Sequence, residues 1–101
     1  MMLLLGFDLP RETRDERASA TEFRKRLIRM GFSMKQFSLY ERVVNREKVR
    51  DKIISQIQDF IPERGEITLY ELPDDVNDNQ LTILGDGRIL KSTKQPRLLV
   101  F

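Results

Sequence analysis

The sequence predicts a single α+β domain with the element order βαββαβ. Three observations lead to this prediction: short apolar runs read as strands, two longer segments have helical hydrophobic spacing, and glycine or proline residues separate them. The chain has 101 residues, which is the usual size of a domain with one hydrophobic core. We therefore expect one domain and one core.

The first strand and the first helix are predicted at residues 2–8 and at about 12–30. Residues 2–8 form a short apolar run without helical spacing, and Pro10 follows it, where a residue that cannot donate to a sheet ladder is expected. Apolar residues then recur at steps of three and four, and Gly31 follows as a helix-ending glycine. The predicted apolar face comprises Ala20, Phe23, Leu27 and Met30.

The middle of the chain predicts a long strand segment and the second helix. Residues 32–44 are rich in β-favouring residues, and a turn near residues 35–37 would divide the segment into a hairpin. Asn45 is the predicted N-cap of a helix that extends to Phe60. The apolar stripe of this helix comprises Val49, Ile53, Ile57 and Phe60.

The next segment completes the predicted sheet. Residues 66–72 alternate in part and read as a strand, with Ile67, Leu69 and Tyr70 facing inward. With the hairpin, the elements have the order βαββαβ, which is the ferredoxin-like pattern. We therefore predict a ferredoxin-like domain over residues 1–80.

Residues 81–101 are predicted to form a C-terminal extension of this domain. After a polar turn at 73–79, we expect a short strand at 81–84, a polar loop at 91–96 and an apolar strand at 97–101. An exposed apolar strand favours aggregation, and pairing with the sheet of a second copy, in a strand-swapped homodimer, would cover it. The alternative is a strand that closes the sheet of its own chain, and the topology leaves both open.

The composition removes several classes of chemistry. The chain has no cysteine and no histidine, which excludes disulfide scaffolds, thiolate zinc sites, cysteine nucleophiles and histidine-dependent triads. Carboxylate, lysine and tyrosine side chains remain, together with a hard cation bound by oxygen. The apolar N-terminal run is too short for a membrane span or a signal peptide, so we expect a cytoplasmic protein that does not associate with membranes.

Basic residues are concentrated toward the two ends of the chain. Residues 1–36 carry eight Lys/Arg against five Asp/Glu, residues 37–80 six against ten, and residues 81–101 four against one. The basic residues opposite the apolar face of the first helix are Arg14, Arg17, Arg24, Lys25 and Arg29. Two interpretations stay open: a surface that binds phosphate, or ordinary solvated charge. Since aromatic residues are not interleaved, we expect contacts to the nucleic-acid backbone without base stacking.

Asp8 is the strongest candidate for a catalytic or metal-binding residue. It ends the first predicted strand, a position where open α/β sheets place ligand sites. One carboxylate is a poor site for Mg²⁺, which usually takes one or two carboxylates together with phosphate oxygens and water. A two-fold dimer would bring two Asp8 side chains to one Mg²⁺ or Mn²⁺, which would polarise a phosphodiester. The alternative is an aspartate that caps the following helix or stabilises the turn.

Four motifs of the sequence resemble those of a known family. They are the segments 6–10, 23–32, 36–41 and 65–70, which read GFDLP, FRKRLIRMGF, QFSLYE and GEITLY. In this order and spacing they resemble the second of the two universal CRISPR adaptation proteins, and most closely the subtype that accompanies a single large RNA-guided DNA nuclease (type II). Phe7 departs from the pattern, because many members have a tyrosine before the aspartate.

The resemblance implies a ferredoxin-like homodimer that bridges two dimers of the CRISPR integrase and helps to insert new spacer DNA into the repeat array. It implies that Asp8 is the position assigned to Mg²⁺ across the dimer axis, and metal-dependent endonuclease activity on RNA or DNA is attributed to some members. It also implies that Arg11, Arg14 and Arg17 contact the backbone of duplex DNA, to which the basic helix face adds Lys25. The extension at 81–101 is the expected docking segment for the integrase.

Two functions of other classes stay open at this point. The first is a toxin-type ribonuclease of the related virulence-associated D family, which would act alone on RNA. The second is a ferredoxin-like regulatory or interaction module without a nucleic-acid role, because this fold carries many unrelated functions. Steep salt dependence of duplex binding would separate a nucleic-acid function from the module.

Overall fold

A computed structural model describes residues 1–83 and the backbone of residues 97 and 98. The predicted loop at 91–96 and most of the predicted last strand lie outside these residues. The elements are β1 (Met2–Asp8), α1 (Arg14–Arg29), β2 (Ser33–Gln36), β3 (Leu39–Val43), α2 (Glu47–Gln58), β4 (Glu66–Leu72), α3 (Asp74–Asp78), β5 (Leu81–Thr82) and β6 (Arg97–Leu98).

Four strands form an antiparallel sheet in the order β2-β3-β1-β4. The central strand β1 pairs with β3 on one side and with β4 on the other, and the hairpin of β2 and β3 turns at residues 37–38. This order follows from two βαβ-type halves that interleave their strands, which is the ferredoxin-like arrangement. The predicted α+β, ferredoxin-like fold is therefore confirmed, including the division of the 32–44 segment into a hairpin.

The hydrophobic core lies between one face of the sheet and the two long helices. Alternate residues of β1 face it, because successive side chains of a strand point to opposite sides. Its fully or largely buried members include Leu3, Leu5, Phe7, Ala20, Phe23, Leu27, Ile53 and Ile57. Both predicted helix stripes are confirmed, since Met30, Val49 and Phe60 also pack against this core. A buried side chain of this size contributes about 1.5–3 kcal/mol of hydrophobic free energy.

The boundaries of α1 and α2 depend on different caps. Thr13 is the N-cap of α1: its hydroxyl accepts from the Glu16 N–H at 3.1 Å, and the Glu16 carboxylate accepts from the Thr13 N–H at 2.9 Å. Gly31, with φ 89°, follows the helix as predicted. The N-cap of α2 is Arg46, without a side-chain hydrogen bond, so the prediction for Asn45 was wrong by one residue.

Two predictions for β4 and the segment that follows it need correction. The predicted polar turn at 73–79 contains the short helix α3, whose Asn77 N–H donates to the carbonyl of Pro73 at 2.9 Å. Tyr70 does not face inward and is 51% exposed. It pairs with Leu4 across the ladder, so it lies on the face of the sheet opposite the long helices, while Ile67 and Leu69 face the core.

The strands β5 and β6 pair in parallel as a separate two-stranded sheet and do not join the main sheet. Strand exchange with a second copy, and the division into residues 1–80 and 81–101, stay predictions. Within the described ranges, no helix has both the length and the apolar character that are needed to cross a membrane.

Candidate nucleic-acid interface

Asp8 is exposed at the carboxyl end of β1. Its Cα lies opposite that of Glu66 in β4, so both carboxylates are on the face of the sheet that the long helices leave uncovered. The Asp8 carboxylate forms no hydrogen bond or ion pair with the residues that the structure describes. Because Thr13 caps α1, Asp8 is not the helix cap, and both of its oxygens remain available to a ligand.

The backbone around Asp8 depends on Gly65, the residue that precedes β4. Gly65 has φ 113°, a conformation that favours glycine. A Cβ at this position would lie 2.7 Å from the Asp8 carbonyl oxygen and 2.8 Å from Leu9 Cδ2. The two strands therefore approach closely here because residue 65 has no side chain. The sequence placed Gly65 only at the start of the 65–70 motif and did not reveal this role.

The oxygen ligands near Asp8 suit a hard cation, but one chain supplies few of them. Carboxylate oxygens are the ligand type that Mg²⁺ and Mn²⁺ prefer. Within the described part of the chain, however, no group of three acidic side chains is arranged to hold a metal ion. Among the described strands, the sheet register places one carboxylate, that of Glu66, directly opposite Asp8. The residues fit a metal site that is completed by a second copy or by phosphate oxygens.

The predicted basic residues lie at two places along α1. Arg11, Arg14 and Arg17 are exposed at the connection from β1 and in the first turn of the helix. The Arg17 guanidinium donates to the carbonyls of Arg11 and Glu12, both at 3.1 Å, and so fixes the connection. Lys25 is also exposed, but it lies eight residues further, about 12 Å along the helix axis. The structure therefore groups the three arginines and separates the lysine from them.

The start of α1 keeps negative charge close to these arginines. The backbone N–H of Thr13, which donates to Glu16, lowers the pKa of the Glu16 carboxyl, and Arg64 at 3.7 Å contributes in the same direction. Acidic residues in a first turn also stabilise the positive end of the helix. Glu16 is therefore engaged by the cap and by Arg64, and the structure pairs it with none of the three arginines.

Sequence reasoning missed a contact between Arg24 and Phe37. The Arg24 guanidinium carbon lies 3.9 Å from the centroid of the Phe37 ring, and Arg11 lies 5.1 Å from the same centroid. The sequence placed Arg24 on the basic face of α1 and indicated no aromatic partner for it, whereas the structure stacks it on Phe37. The contact joins α1 to the β2–β3 turn over 13 positions of sequence, so no local spacing could reveal it.

A ferredoxin-like sheet with an exposed strand-end carboxylate, and arginines beside it, defines a small α+β protein whose surface suits phosphate ligands. The family model described as CRISPR associated protein Cas2 matches residues 1–80. The chain therefore belongs to the CRISPR-associated Cas2 family.

Individual relatives agree with this assignment. The chain is 42% identical over 74 residues to the CRISPR-associated endoribonuclease Cas2 of Flavobacterium psychrophilum, a match that covers 73% of this chain and 64% of that protein. It is 30% identical over 100 residues to the protein of the same name from Treponema denticola, with 99% of each covered. The chain thus spans less than two thirds of the first relative and nearly all of the second.

A solved structure is similar in fold. The crystal structure of Streptococcus pyogenes Cas2 at pH 6.5 superposes with a TM-score of 0.59 and 25% sequence identity. The match covers 74% of this chain and 89% of that one.

Proposed function

We propose that this chain is a homodimeric subunit of the CRISPR adaptation machinery, which binds the backbone of duplex DNA and bridges two dimers of the integrase. The observation that carries the proposal is the group of Arg11, Arg14 and Arg17 beside the exposed Asp8, in a member of the Cas2 family. Family membership favours this function over the toxin-type ribonuclease and over a module without a nucleic-acid role.

The exposed arginines support contacts to phosphate rather than to bases. Arginine binds phosphate oxygens bidentately, and the N–H groups at the start of α1 add to the attraction for anions. If each protomer neutralises about four phosphates, the logarithm of the association constant falls with the logarithm of salt concentration at a slope near −3.6. Such binding carries no sequence information of its own, which suits a subunit that accepts many different spacers.

The face of the sheet opposite the long helices supports the proposed dimer. A Cβ on Gly6 would lie 3.7 Å from Leu39 Cδ1 and 3.9 Å from Tyr70 Cε2, so these residues share the face opposite the long helices. Leu4 and Asp8 continue it along β1. A second copy seated on this face would bury the exposed Tyr70 and bring the two Asp8 side chains toward each other. Exchange of the last strand would add to the same interface.

A nuclease activity at Asp8 is the second part of the proposal. The relatives named above are called endoribonucleases, and the paired Asp8 side chains of a dimer would hold Mg²⁺ or Mn²⁺. When bound, such an ion polarises a phosphodiester and lowers the pKa of a coordinated water molecule. The neighbouring arginines Arg11, Arg14 and Arg17 would hold the backbone on either side of the scissile phosphate. RNA and DNA are both candidate substrates.

Replacement of Asp8 separates cutting from bridging. We expect Asp8→Asn to abolish Mg²⁺-dependent cleavage of labelled RNA and DNA, because the ion loses its charged ligand. Duplex binding and spacer acquisition with the integrase should stay within about twofold of wild type, since the phosphate contacts are unchanged. Asp59→Asn, an exposed acid at the end of α2, is the matched control.

Three outcomes would change the proposal. Acquisition that is lost in Asp8→Asn, with normal dimerisation and duplex binding, would show that chemistry at Asp8 is required for integration. Cleavage that persists in Asp8→Asn would remove the metal site from this residue. Growth arrest on expression without the integrase, relieved by Asp8→Asn, would favour the toxin-type ribonuclease.

A pull-down with the integrase, repeated after charge reversal of Arg88 and Lys91, tests the proposed docking role of residues 81–101.

A further inference from the structure

The turn between β2 and β3 presents an aromatic ring that carries two guanidinium groups. Phe37 lies in this turn and is 54% exposed. Arg24 from α1 stacks on it at 3.9 Å, and Arg11 from the β1–α1 connection lies 5.1 Å from the same centroid. Three separate segments of the chain therefore converge on one exposed ring.

The position of Arg24 is fixed by several contacts. Its Nε donates to the carbonyl of Phe37 at 3.2 Å, and its guanidinium also lies 5.2 Å from the Phe7 ring. The β2–β3 turn is itself attached to the end of β1, because the Phe7 N–H donates to the Ser38 carbonyl at 3.0 Å. With Nε engaged, the two terminal nitrogens of Arg24 remain as donors in a plane of fixed orientation.

Within residues 1–83, the two cations of this cluster lack a counter-ion. Neither Arg11 nor Arg24 forms an ion pair with an acidic residue in the described part of the chain. Burial lowers the pKa of the Arg24 guanidinium, the nearby Tyr40 opposes this shift, and the positive charge of Arg11 adds to it. An anion placed between the two guanidiniums would relieve their repulsion.

We propose that Arg11 and Arg24, held on the ring of Phe37, form a clamp for one phosphate group of a bound nucleic-acid strand. The inference rests on the proposed function, because it assumes that the chain binds nucleic acid, and it adds Arg24 and Phe37 to the interface. A phosphate fits better than a base, since the stacked guanidinium already covers one face of the ring. The clamp lies at the same end of the sheet as Asp8, so it would extend the contact surface from the first turn of α1 to the hairpin turn.

The sharpest test removes the ring without removing charge. We expect Phe37→Ala to weaken binding of a fluorescein-labelled duplex about threefold, because both guanidiniums lose their stacking partner. Arg24→Gln should weaken binding about fivefold and make the log–log salt slope shallower by about 0.9, since one phosphate contact is lost. Arg29→Gln is the matched control: it lies on the same helix, but Arg29 pairs with Glu22 at 3.5 Å, so less than a twofold effect is expected.

A second measurement does not depend on duplex binding. Titration with inorganic phosphate, followed by the side-chain Nε–H signals of the arginines in an NMR spectrum, should shift the Arg24 signal and leave that of Arg29 in place. In Phe37→Ala the Arg24 shift should be strongly reduced. Thermal unfolding of both variants checks that the fold is retained, which the exposure of Phe37 favours.

The outcomes distinguish the clamp from the proposed function. Normal duplex binding by both variants, together with an Arg24 signal that phosphate does not move, would overturn the clamp and leave the proposed function intact. A wild-type chain that binds no duplex would refute the proposed function. The clamp would then be tested by the phosphate titration, which does not require duplex binding. Loss of single-strand binding in Phe37→Ala with an unchanged salt slope would show that the ring stacks a base, which would also overturn the clamp.

Discussion

Two groups of arginines in this protein have the same charge but different surroundings. Arg26 and Arg29 share Glu22, at 3.4 and 3.5 Å, and Arg50 contacts Asp51 at 3.0 Å and Glu71 at 3.1 Å. The second group, Arg11, Arg14 and Arg24, has no acidic partner among the described residues. All three of its members lie near the carboxyl end of β1. The positive charge of Arg11, Arg14 and Arg24 is therefore not neutralised by an acidic neighbour at this end of the described structure.

The two groups differ in how readily their arginines can bind a phosphate, and much less in how far they stabilise the fold. An exposed ion pair contributes about 0–1 kcal/mol to folding. The pairs that Glu22 and Asp51 form with arginines of α1 and α2 therefore add little to the stability of the fold. A phosphate would have to compete with those carboxylates for them. The unpaired arginines keep their full charge, and Arg24 is already held in one orientation by Phe37. A ligand that binds them loses less side-chain entropy.

The largest effect is expected from charge reversal in the unpaired region. The double change Arg14→Glu and Arg17→Glu should weaken duplex binding by about 100-fold or more at low salt, because phosphate contacts are replaced by repulsion. The reversal Arg46→Glu and Lys48→Glu changes the net charge equally on α2, away from Asp8, and is the matched control. Fluorescence anisotropy across a range of salt concentrations measures both, and circular dichroism confirms the fold.

Equal losses in the two double variants would show that binding follows net charge and not position. The difference in acidic partners between the two groups of arginines would then have no effect on DNA binding. Retained binding in the Arg14 and Arg17 variant, with loss in the α2 variant, would move the interface to the other helix.

The sequence was sufficient for some parts of this comparison and not for others. The stripe of Ala20, Phe23 and Leu27 and the position of Asp8 at the end of β1 were predicted correctly, because helical spacing and strand ends are local signals. The partner of Arg24 was not, because Phe37 approaches it only through tertiary packing. The helix α3 was also missed, since its sequence is dominated by aspartate and asparagine, which local reasoning assigns to turns.

The next largest effect concerns the backbone that positions Asp8. Gly65→Ala should lower the free energy of unfolding by about 1–3 kcal/mol, because φ is 113° and the new Cβ would contact the Asp8 carbonyl at 2.7 Å. Gly6→Ala meets only ordinary contacts of 3.7 and 3.9 Å and should cost less than about 1 kcal/mol. Denaturant unfolding measures both. Similar values for the two variants would show that the strands separate at little cost.

A buried ion pair gives a smaller, pH-dependent effect and contrasts with the exposed arginine pairs. Glu41 is 5% exposed and lies 3.8 Å from Lys35, whose ammonium also donates to Gln80 at 2.6 Å. Burial raises the pKa of the Glu41 carboxyl, and Lys35 opposes this only in part. The folded state therefore holds this proton more tightly than the unfolded state. Stability from Glu41 is full below the ordinary glutamate pKa and is lost as pH rises through the raised value.

Glu41→Gln should remove this pH dependence. At neutral pH we expect the variant to be more stable than wild type by about 1 kcal/mol, because burying a neutral amide costs less than burying the charged carboxylate of Glu41. At acid pH the two proteins should unfold alike. Denaturant unfolding at several pH values measures the difference. A variant that is less stable at neutral pH would show that the attraction to Lys35 exceeds the cost of burying the charge.

The smallest effect compares the starts of the two long helices. Thr13→Ala should lower the free energy of unfolding by about 1 kcal/mol, because α1 loses its capping box. Arg46→Ala should not lower it through loss of a cap, since Arg46 makes no side-chain cap hydrogen bond at α2. Fraying at Thr13 would also loosen Arg14, so duplex binding should weaken by less than about twofold. If Thr13→Ala leaves both unfolding and binding unchanged, the hydrogen bonds from Arg17 to the Arg11 and Glu12 carbonyls hold the helix start instead. The same arginine would then serve both the fold and the phosphate contact.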